Sequence, residues 1–353
     1  MSARMRRRPG SGSRLRTALG ALALVVFAGC GNGDATAAAG RIRLAFVTNC
    51  AVEFWTVAEA GVRAAAAAQD VDVLVRMPPN GTAAEQQQQL EDVVSAGVQG
   101  VAVSPKDPDN MTALLDGIAM RCPLITHDSD APRSQRLCYI GVDNYDAGQL
   151  CGELIEEAMP NGGPIVLLVG TLDQDNARRR RQGVVDRLLG RQRVQGRFDP
   201  QDAVLKNDRF EIRATYTNQL DVQKAKAIVE DCLSRWPDLK GMVGLFEHEP
   251  PVILDALRAA GRLGNIAIVG FDENDATLQG IADGHVHGTV VQNPYEYGRR
   301  SIELLAQLVR APDAAGRAAL LPADRVITVP ARQIRAVNVA EFWADLRQKT
   351  GRK

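Results

Sequence analysis

The sequence predicts an α/β fold of two serial lobes, each built on a parallel sheet with helices on both faces. Three observations point there. Short apolar runs recur along the chain, helical stretches of 11 to 15 residues separate them, and after Leu137 to Val142 the pattern starts again. Length agrees: about 320 residues beyond the N-terminal leader exceed one typical domain and suffice for two lobes with cores of their own.

In the first series, apolar spacing predicts a strand over Arg41 to Val47, a helix over Phe54 to Ala68 and a strand over Val71 to Arg76. A helix over Ala83 to Ala96, a strand over Gly100 to Val103, a helix over Asn110 to Met120 and a strand over Pro123 to Thr126 complete it. The strand Leu137 to Val142 opens the second series. Helices are expected at Tyr145 to Ala158, Ala177 to Leu189, Val222 to Trp236, Pro251 to Ala260, Ala276 to Asp283 and Glu296 to Val309. The strands between them are expected at Pro164 to Val169, Glu211 to Ala214, Gly241 to Phe246, Ile266 to Phe271 and His287 to Val291.

The leader has its own logic. Arg6-Arg7-Arg8, Arg14 and Arg16 precede the apolar run Ala18 to Ala28, which ends at Phe27-Ala28-Gly29-Cys30. A basic stretch, a short apolar core and small residues before a cysteine form a lipoprotein export signal over residues 1–29, with Cys30 as the lipidated first mature residue. The alternatives are an ordinary signal peptide cleaved nearby and a transmembrane anchor. The apolar core falls short of the roughly 20 residues a spanning helix needs. Residues 30–40 then form a polar tether. The expected location is the periplasm or extracytoplasmic face, held to a membrane by the Cys30 lipid.

The whole chain balances 42 basic against 42 acidic residues, but the leader holds six arginines and no acid. The mature part is therefore net negative by about six, which argues against a nucleic-acid partner. Cys50, Cys122, Cys138, Cys151 and Cys232 remain beside Cys30, an odd number, so at least one is free or pairs outside the chain. Cys122 and Cys138 each precede an expected strand; neighbouring strands would bring their starts to about 5 Å, within reach of a disulfide. No Cys or His spacing suits a metal, and no cofactor motif is present: the Gly-x-Ser-x-Gly elbow, the Walker loop and a Gly-x-Gly-x-x-Gly after the first strand are all missing.

Ligands of parallel sheets bind beyond the carboxyl ends of the strands, and those ends are unusually polar: Thr48-Asn49-Cys50, His127-Asp128-Ser129-Asp130, Glu247-His248-Glu249, Asp272-Glu273-Asn274 and Gln292-Asn293. Asp and Asn also cap helices for local reasons, so the five together weigh more than any one. Asp128 and Asp272 could also be the paired acids of glycoside hydrolysis, which demands a fixed separation.

The order of motifs resembles the ribose/galactose-type periplasmic sugar-binding proteins of ABC importers across residues 41–353. The stations are the Asn49 loop with Phe54-Trp55, Val103-Ser104-Pro105, Leu124 through Asp128, and Gly141-Val142-Asp143-Asn144 with Gly148. Asn176-Ala177 with Arg178, Arg180 and Gly183, then Val269-Gly270-Phe271-Asp272, and Val290-Val291-Gln292 with Tyr297-Gly298 follow. The resemblance implies type I architecture: two similar Rossmann-like lobes joined by a three-segment hinge, with residues 41–142 plus 293–324 in one and 143–292 plus 325–353 in the other. It implies a sugar or polyol bound between the lobes, without catalysis, and an ABC permease as partner. The alternative is a sensor that shows its closed form to a chemoreceptor or histidine kinase. A LacI-type regulator shares the resembled core but would carry a helix-turn-helix where this chain has its leader.

By the same resemblance Asn49 belongs to the site, Phe54 and Trp55 stack on the ligand, Tyr216 matches weakly from the other lobe, and Asp128, Arg178, Asp272 and Gln292 bind hydroxyls. Thr82 stands near a further polar contact, whereas Gln86 to Gln89 read as a solvated helix face. Since consecutive residues point different ways, one of Phe54 and Trp55 is expected to serve the core, and Arg179 and Arg181 to be solvated. The chemistry is consistent, because a sugar offers an apolar face together with hydroxyls that donate and accept. Two departures stand out: Glu249 where relatives often have Asn, and Ser129-Asp130 after the first ligand Asp. They imply more carboxylate than a plain pentose or hexose needs, and hence a bias toward a ligand with an amine or an unusual set of donors.

Overall fold

A computed structural model describes residues 40–351. Cys30, the export signal and the tether up to Ala39 lie outside the described residues. The first run comprises β1 (Arg43–Val47), α1 (Glu53–Gln69), β2 (Asp72–Arg76), α2 (Ala83–Ser95), β3 (Gly100–Val103), α3 (Pro108–Ala119), β4 (Leu124–His127) and β5 (Tyr139–Gly141). The second comprises α4 (Asn144–Ala158), β6 (Gly163–Val169), α5 (Asp175–Leu188), β7 (Leu205–Lys206), β8 (Phe210–Thr217), α6 (Val222–Arg235), β9 (Gly241–Gly244), α7 (Glu249–Ala259), β10 (Ala267–Phe271), α8 (Asp275–Ala282) and β11 (Gly288–Val291). The chain ends with α9 (Pro294–Arg310), α10 (Ala314–Ala319), β12 (Val326–Thr328), β13 (Arg332–Arg335) and α11 (Val339–Thr350). No helix among the described residues is long and apolar enough to cross a membrane.

Two sheets result, ordered β12-β5-β4-β3-β1-β2 and β13-β11-β10-β9-β6-β8-β7. All pairings are parallel except those of β13 with β11 and of β7 with β8. With β12, β13 and the two-residue β7 set aside, both sheets run in the order second, first, third, fourth, fifth, which puts a topological switch point beside the first strand of each. Helices on both faces bury β3, β4, β9 and β11 completely, which is why these strands read as continuous apolar runs.

The helix that follows the fifth strand of each run changes sides. After β5 the chain forms α4, which packs on β10, β11 and β13; after β11 it forms α9, which packs on β1, β3, β4 and β5. Each swapped helix is seated by glycines. A Cβ on Gly61 of α1 would lie 2.0 Å from the Tyr295 carbonyl oxygen, and one on Gly298 of α9 equally close to that of Ala58. In the other half, a Cβ on Gly148 of α4 would lie 2.1 Å from the Arg180 carbonyl, and one on Gly183 of α5 2.1 Å from that of Tyr145. Only glycine permits so close a crossing.

The ends of the expected elements shift by one or two residues, as frayed ends do; the largest changes are the extension of Glu211 to Ala214 to the eight-residue β8 and the contraction of Leu137 to Val142 to β5. β7, α10, β12, β13 and α11 were not foreseen. The return to the second lobe expected after residue 324 comes later, because β12 pairs with β5 in the first sheet and β13 is the first element to join the second. The expected Cys122–Cys138 disulfide is absent: both thiols are free and buried, as are Cys50, Cys151 and Cys232. Its premise of neighbouring strands holds, since β4 and β5 pair, but Thr126 lies opposite Tyr139. Cys138 therefore falls level with Ile125, three residues along from Cys122, or about 10 Å, beyond disulfide reach.

Candidate functional site

The carboxyl ends of both sheets converge on one narrow cavity. Asn49 follows β1 and Asp128 follows β4; Glu247 and His248 follow β9, Asp272 follows β10 and Gln292 follows β11, and all six border the cavity. The two aspartates occupy equivalent places, each after the fourth strand of its run. Their backbones are left-handed, with φ of 59° at Asp128 and 67° at Asp272, and their amides bond to the fifth strands at Ile140 and Val290. Among non-glycine residues Asp and Asn enter this region most readily, and such outliers cluster at functional sites. The sharp turn aims each carboxylate into the cleft.

Phe54 and Trp55 both border the cavity, and Trp55, 1% exposed, also serves the core, packed against Phe46 and His127. Phe54 and Trp55 sit in the first turn of α1, whose end faces the cleft. Trp55 is held by a bond from its Nε1 to Asn49 Oδ1 (3.0 Å), and its ring stands edge-on to Phe54 at 4.9 Å and 89°. His127, just before Asp128, is fully buried and stacks on Phe46 at 4.1 Å; desolvation drops its pKa to about 3, so it is a neutral packing residue.

The arginine at the cavity is Arg180, where Arg178 was expected. Asn176 borders the cavity, and Arg180 lies four residues on, on the same face of α5, whereas Arg178 points away. Arg178 instead reaches from the rim to Asp109 at the start of α3 (3.0 Å). Arg180 donates to the Leu245 carbonyl (2.6 Å) and to Asn144 Oδ1 (3.0 Å), with its guanidinium 3.8 Å above the Phe271 ring. Arg181 is buried too, against the expectation of solvation, donating to Thr215 Oγ1 and to the carbonyls of Asp199 and Pro200. Arg179 pairs with Asp175.

Three further expectations fail for local reasons. Thr82 is exposed and caps α2, its hydroxyl accepting from Glu85 N while Glu85 returns to Thr82 N. Tyr216 on β8 packs beside Trp236, outside the cavity. Glu249 is wholly buried at the start of α7, where it accepts from Asn218 Nδ2 and Phe246 N, both at 2.7 Å, and it does not border the cavity. The carboxylate that does is Glu247. Gln86, read as solvated, is buried and ties two strand ends together through the carbonyls of Thr48 and Ser104, both at 2.7 Å. Phe246, Leu220, Val52 and Cys50 complete the wall.

Bonds cross the cleft from side to side. Asn176 Nδ2 donates to Asp128 Oδ2 (3.2 Å), Phe54 N donates to Glu247 Oε2 (3.3 Å), and Arg178 meets Asp109. The second supplies what α1 lacks, because its N-cap residue, Val52, has no side chain to cap with. Asp128 Oδ2 also accepts from Ser104 Oγ (2.7 Å) and Asn49 Nδ2 (3.4 Å), and Asp272 Oδ1 accepts from Gln292 Nε2 (2.7 Å). Desolvation pushes the Asp128 carboxyl up to about 6, against the pull of Ser104 and the Arg180 charge. It pushes Glu247 up to about 7, helped by nearby Asp272, and raises Asp272 itself. His248 is driven down to about 4 by burial and stays neutral. The cavity measures about 40 Å³, room for roughly three waters, so a molecule of ten or more heavy atoms enters only when the two sides part.

Comparison with known proteins agrees with this geometry. The chain is similar to the ribose import binding protein of Salmonella typhimurium, 23% identical over 240 residues that cover 67% of this chain and 74% of that protein. It is also similar to the xylitol-binding protein of Mycolicibacterium smegmatis, 26% identical over 334 residues, 94% of this chain and 88% of the relative. Among solved structures, a solute-binding protein of an ABC transporter from Burkholderia graminis, in complex with D-arabinose, superposes with a TM-score of 0.74 over 84% of this chain and 96% of that one, at 24% identity. Residues 45–313 match the family model described as a periplasmic binding protein domain. The chain therefore belongs to the periplasmic binding protein family, with the type I fold, and is a solute-binding protein and not an enzyme.

Proposed function

We propose that the chain is a lipid-anchored receptor that captures a monosaccharide or related polyol between its two lobes and hands it to an ABC importer. The observation that carries this reading is the composition of the cavity: two aromatic rings from one side, and Asp128, Asp272, Arg180, Asn176 and Gln292 converging from both. Aromatic plates suit the apolar face of a sugar, and the polar set supplies donors and acceptors in one narrow space. Ribose and xylitol in the names of relatives, and D-arabinose in that of a structural neighbour, support the polyhydroxylated class.

Binding works by closure. Ligand contacts made from both sides at once lower the free energy of the closed form relative to the open one, and the closed surface is what a membrane partner reads. Family membership implies an extracytoplasmic location. A lipid on Cys30 would hold the receptor beside that partner and raise its effective concentration. A calorimetric screen of pentoses, hexoses, amino sugars, polyols and cyclitols tests the ligand class; no saturable binding across the panel refutes it. Intact-mass analysis tests the anchor: acyl mass on wild type that Cys30→Ala loses supports it, and equal masses refute it.

A further inference from the structure

The cavity is overdrawn in negative charge. Four side chains that carry full charge at neutral pH in water border it: Asp128, Glu247, Asp272 and Arg180. Among the described residues the one bordering cation, Arg180, forms no ion pair with the three carboxylates, although its charge favours the ionised forms of Asp128 and Asp272. Its terminal nitrogens are committed to the Leu245 carbonyl and Asn144, its plane to Phe271, and its buried Nε is left without a partner. Among the described residues every donor that reaches the three carboxylates is neutral: Ser104, Asn49 and Asn176 on Asp128, Gln292 on Asp272, Asn274 and the Phe54 amide on Glu247. Both bonds to Glu247 are long, at 3.3 Å.

Several carboxylates in one dry space are costly unless charge or donors answer them. A sugar hydroxyl donates a single proton and brings no charge, so a neutral ligand leaves the excess in place. An ammonium group brings three donors and a positive charge. Glu247 is the group best placed to tell the two apart, because it borders the cavity beside Phe54 and Asp272 and both of its bonds from the protein are long. Burial and the proximity of Asp272, which push Glu247 up to about 7, are in keeping with a carboxylate short of a cationic partner.

We propose that the cleft selects a polyhydroxylated ligand bearing a protonated amine, an amino sugar or amino polyol, and that Glu247 is the residue that distinguishes it from its hydroxyl counterpart. This rests on the reading of the cleft as a sugar or polyol site. It also relocates to Glu247 the preference that the sequence suggested for Glu249.

The test is calorimetry on the mature protein at pH 7 with matched pairs: a pentose, a hexose and a cyclitol, each against its amino-deoxy counterpart. The amine member of at least one pair should bind about 10–150-fold more tightly, the worth of one charge-assisted hydrogen bond. Glu247→Gln should shrink that ratio to about threefold or less, weakening the amine member far more than the neutral one. Neutral members that bind as well as or better than their amines overturn the proposal and leave the sugar reading standing. An amine preference that Glu247→Gln does not alter overturns the role of Glu247. Absence of binding by any member overturns both readings. If Glu247→Gln fails to fold, Glu247→Asp, which keeps the charge and shortens the reach, takes its place, and the wild-type pairs alone still decide the ligand class.

Discussion

Asp128 offers the sharpest dissection of the cleft, because its backbone and its carboxylate make separate demands. At φ 59° any side chain other than Asn, Asp or Gly is strained, by about 1–2 kcal/mol. Asp128→Asn keeps the shape and tolerates the backbone, but presents an amide where a carboxylate meets three protein donors and is proposed to meet a ligand hydroxyl. Losing a charge-assisted bond to the ligand costs about 1.5–3 kcal/mol, or roughly 10–150-fold in affinity. Asp128→Ala adds the backbone strain and orphans Ser104, Asn49 and Asn176. The expected pattern is a melting temperature for Asn near wild type, a drop of several degrees for Ala, and a large loss of affinity in both. Titration calorimetry with any ligand from the panel, paired with thermal melts, reads the two demands independently. If Asp128→Asn binds within about threefold of wild type, the Asp128 carboxylate does not contact ligand. If Ala melts no lower than Asn, the strain argument fails.

Three other outcomes follow from the geometry. Arg178→Ala should lower affinity by no more than about fivefold, since the partly exposed pair with Asp109 is worth about 0–1 kcal/mol, whereas Arg180→Met should cost tenfold or more; titration of the two side by side checks the assignment, and loss of binding by Arg178→Ala would reverse it. Gly183→Ala forces α4 and α5 apart at the Tyr145 carbonyl and should cost about 1–3 kcal/mol of stability; denaturant unfolding with no shift in midpoint would mean the crossing is looser than described. Glu249 is raised to about 8 by burial, so across the range between the ordinary carboxylate value and pH 8 the folded protein holds a proton that the unfolded chain has released. Stability should therefore fall as pH rises through that range, and Glu249→Gln should flatten the fall; parallel slopes for variant and wild type would show that the group titrates normally.

Much of this molecule is legible in its residues. The inner strands of the two 2-1-3-4-5 cores announce themselves as apolar runs because helices cover both faces, and the polar strand ends mark the cleft because parallel strands all deliver their carboxyl ends to one side. What sequence order hides is direction. Arg178 and Arg180 both follow Asn176, and only the helical period, which stacks position 180 upon 176, separates the cavity arginine from the rim arginine. Glu247 and Glu249 alternate within one short turn; Glu249 falls inside because the Phe246 amide in the turn before α7 and the Asn218 side chain claim its carboxylate. Thr82 and Tyr216 were drawn toward the site by resemblance, while a capping box and an aromatic neighbour fixed them elsewhere. The disulfide failed on register, which depends on how two strands pair along their length and leaves no mark in either one alone. β12 and β13 are only three and four residues long and exist because the sheet edges they join are already there.

The exchange of α4 and α9 between the halves has a consequence for biosynthesis. Gly298, which lets α9 settle on α1, is made 237 residues after Gly61, its counterpart in the crossing. At about 5–20 residues per second of synthesis, the sheet that appears first waits about 10–50 s for the helix that covers it. During that interval β1, β3 and α1 have apolar surface with nothing of their own to lie against, so the first half cannot lock into its final packing while the chain is still growing. Nearly the whole polypeptide must emerge before either half is complete, which keeps the chain threadable for the translocation that an extracytoplasmic binding protein must undergo.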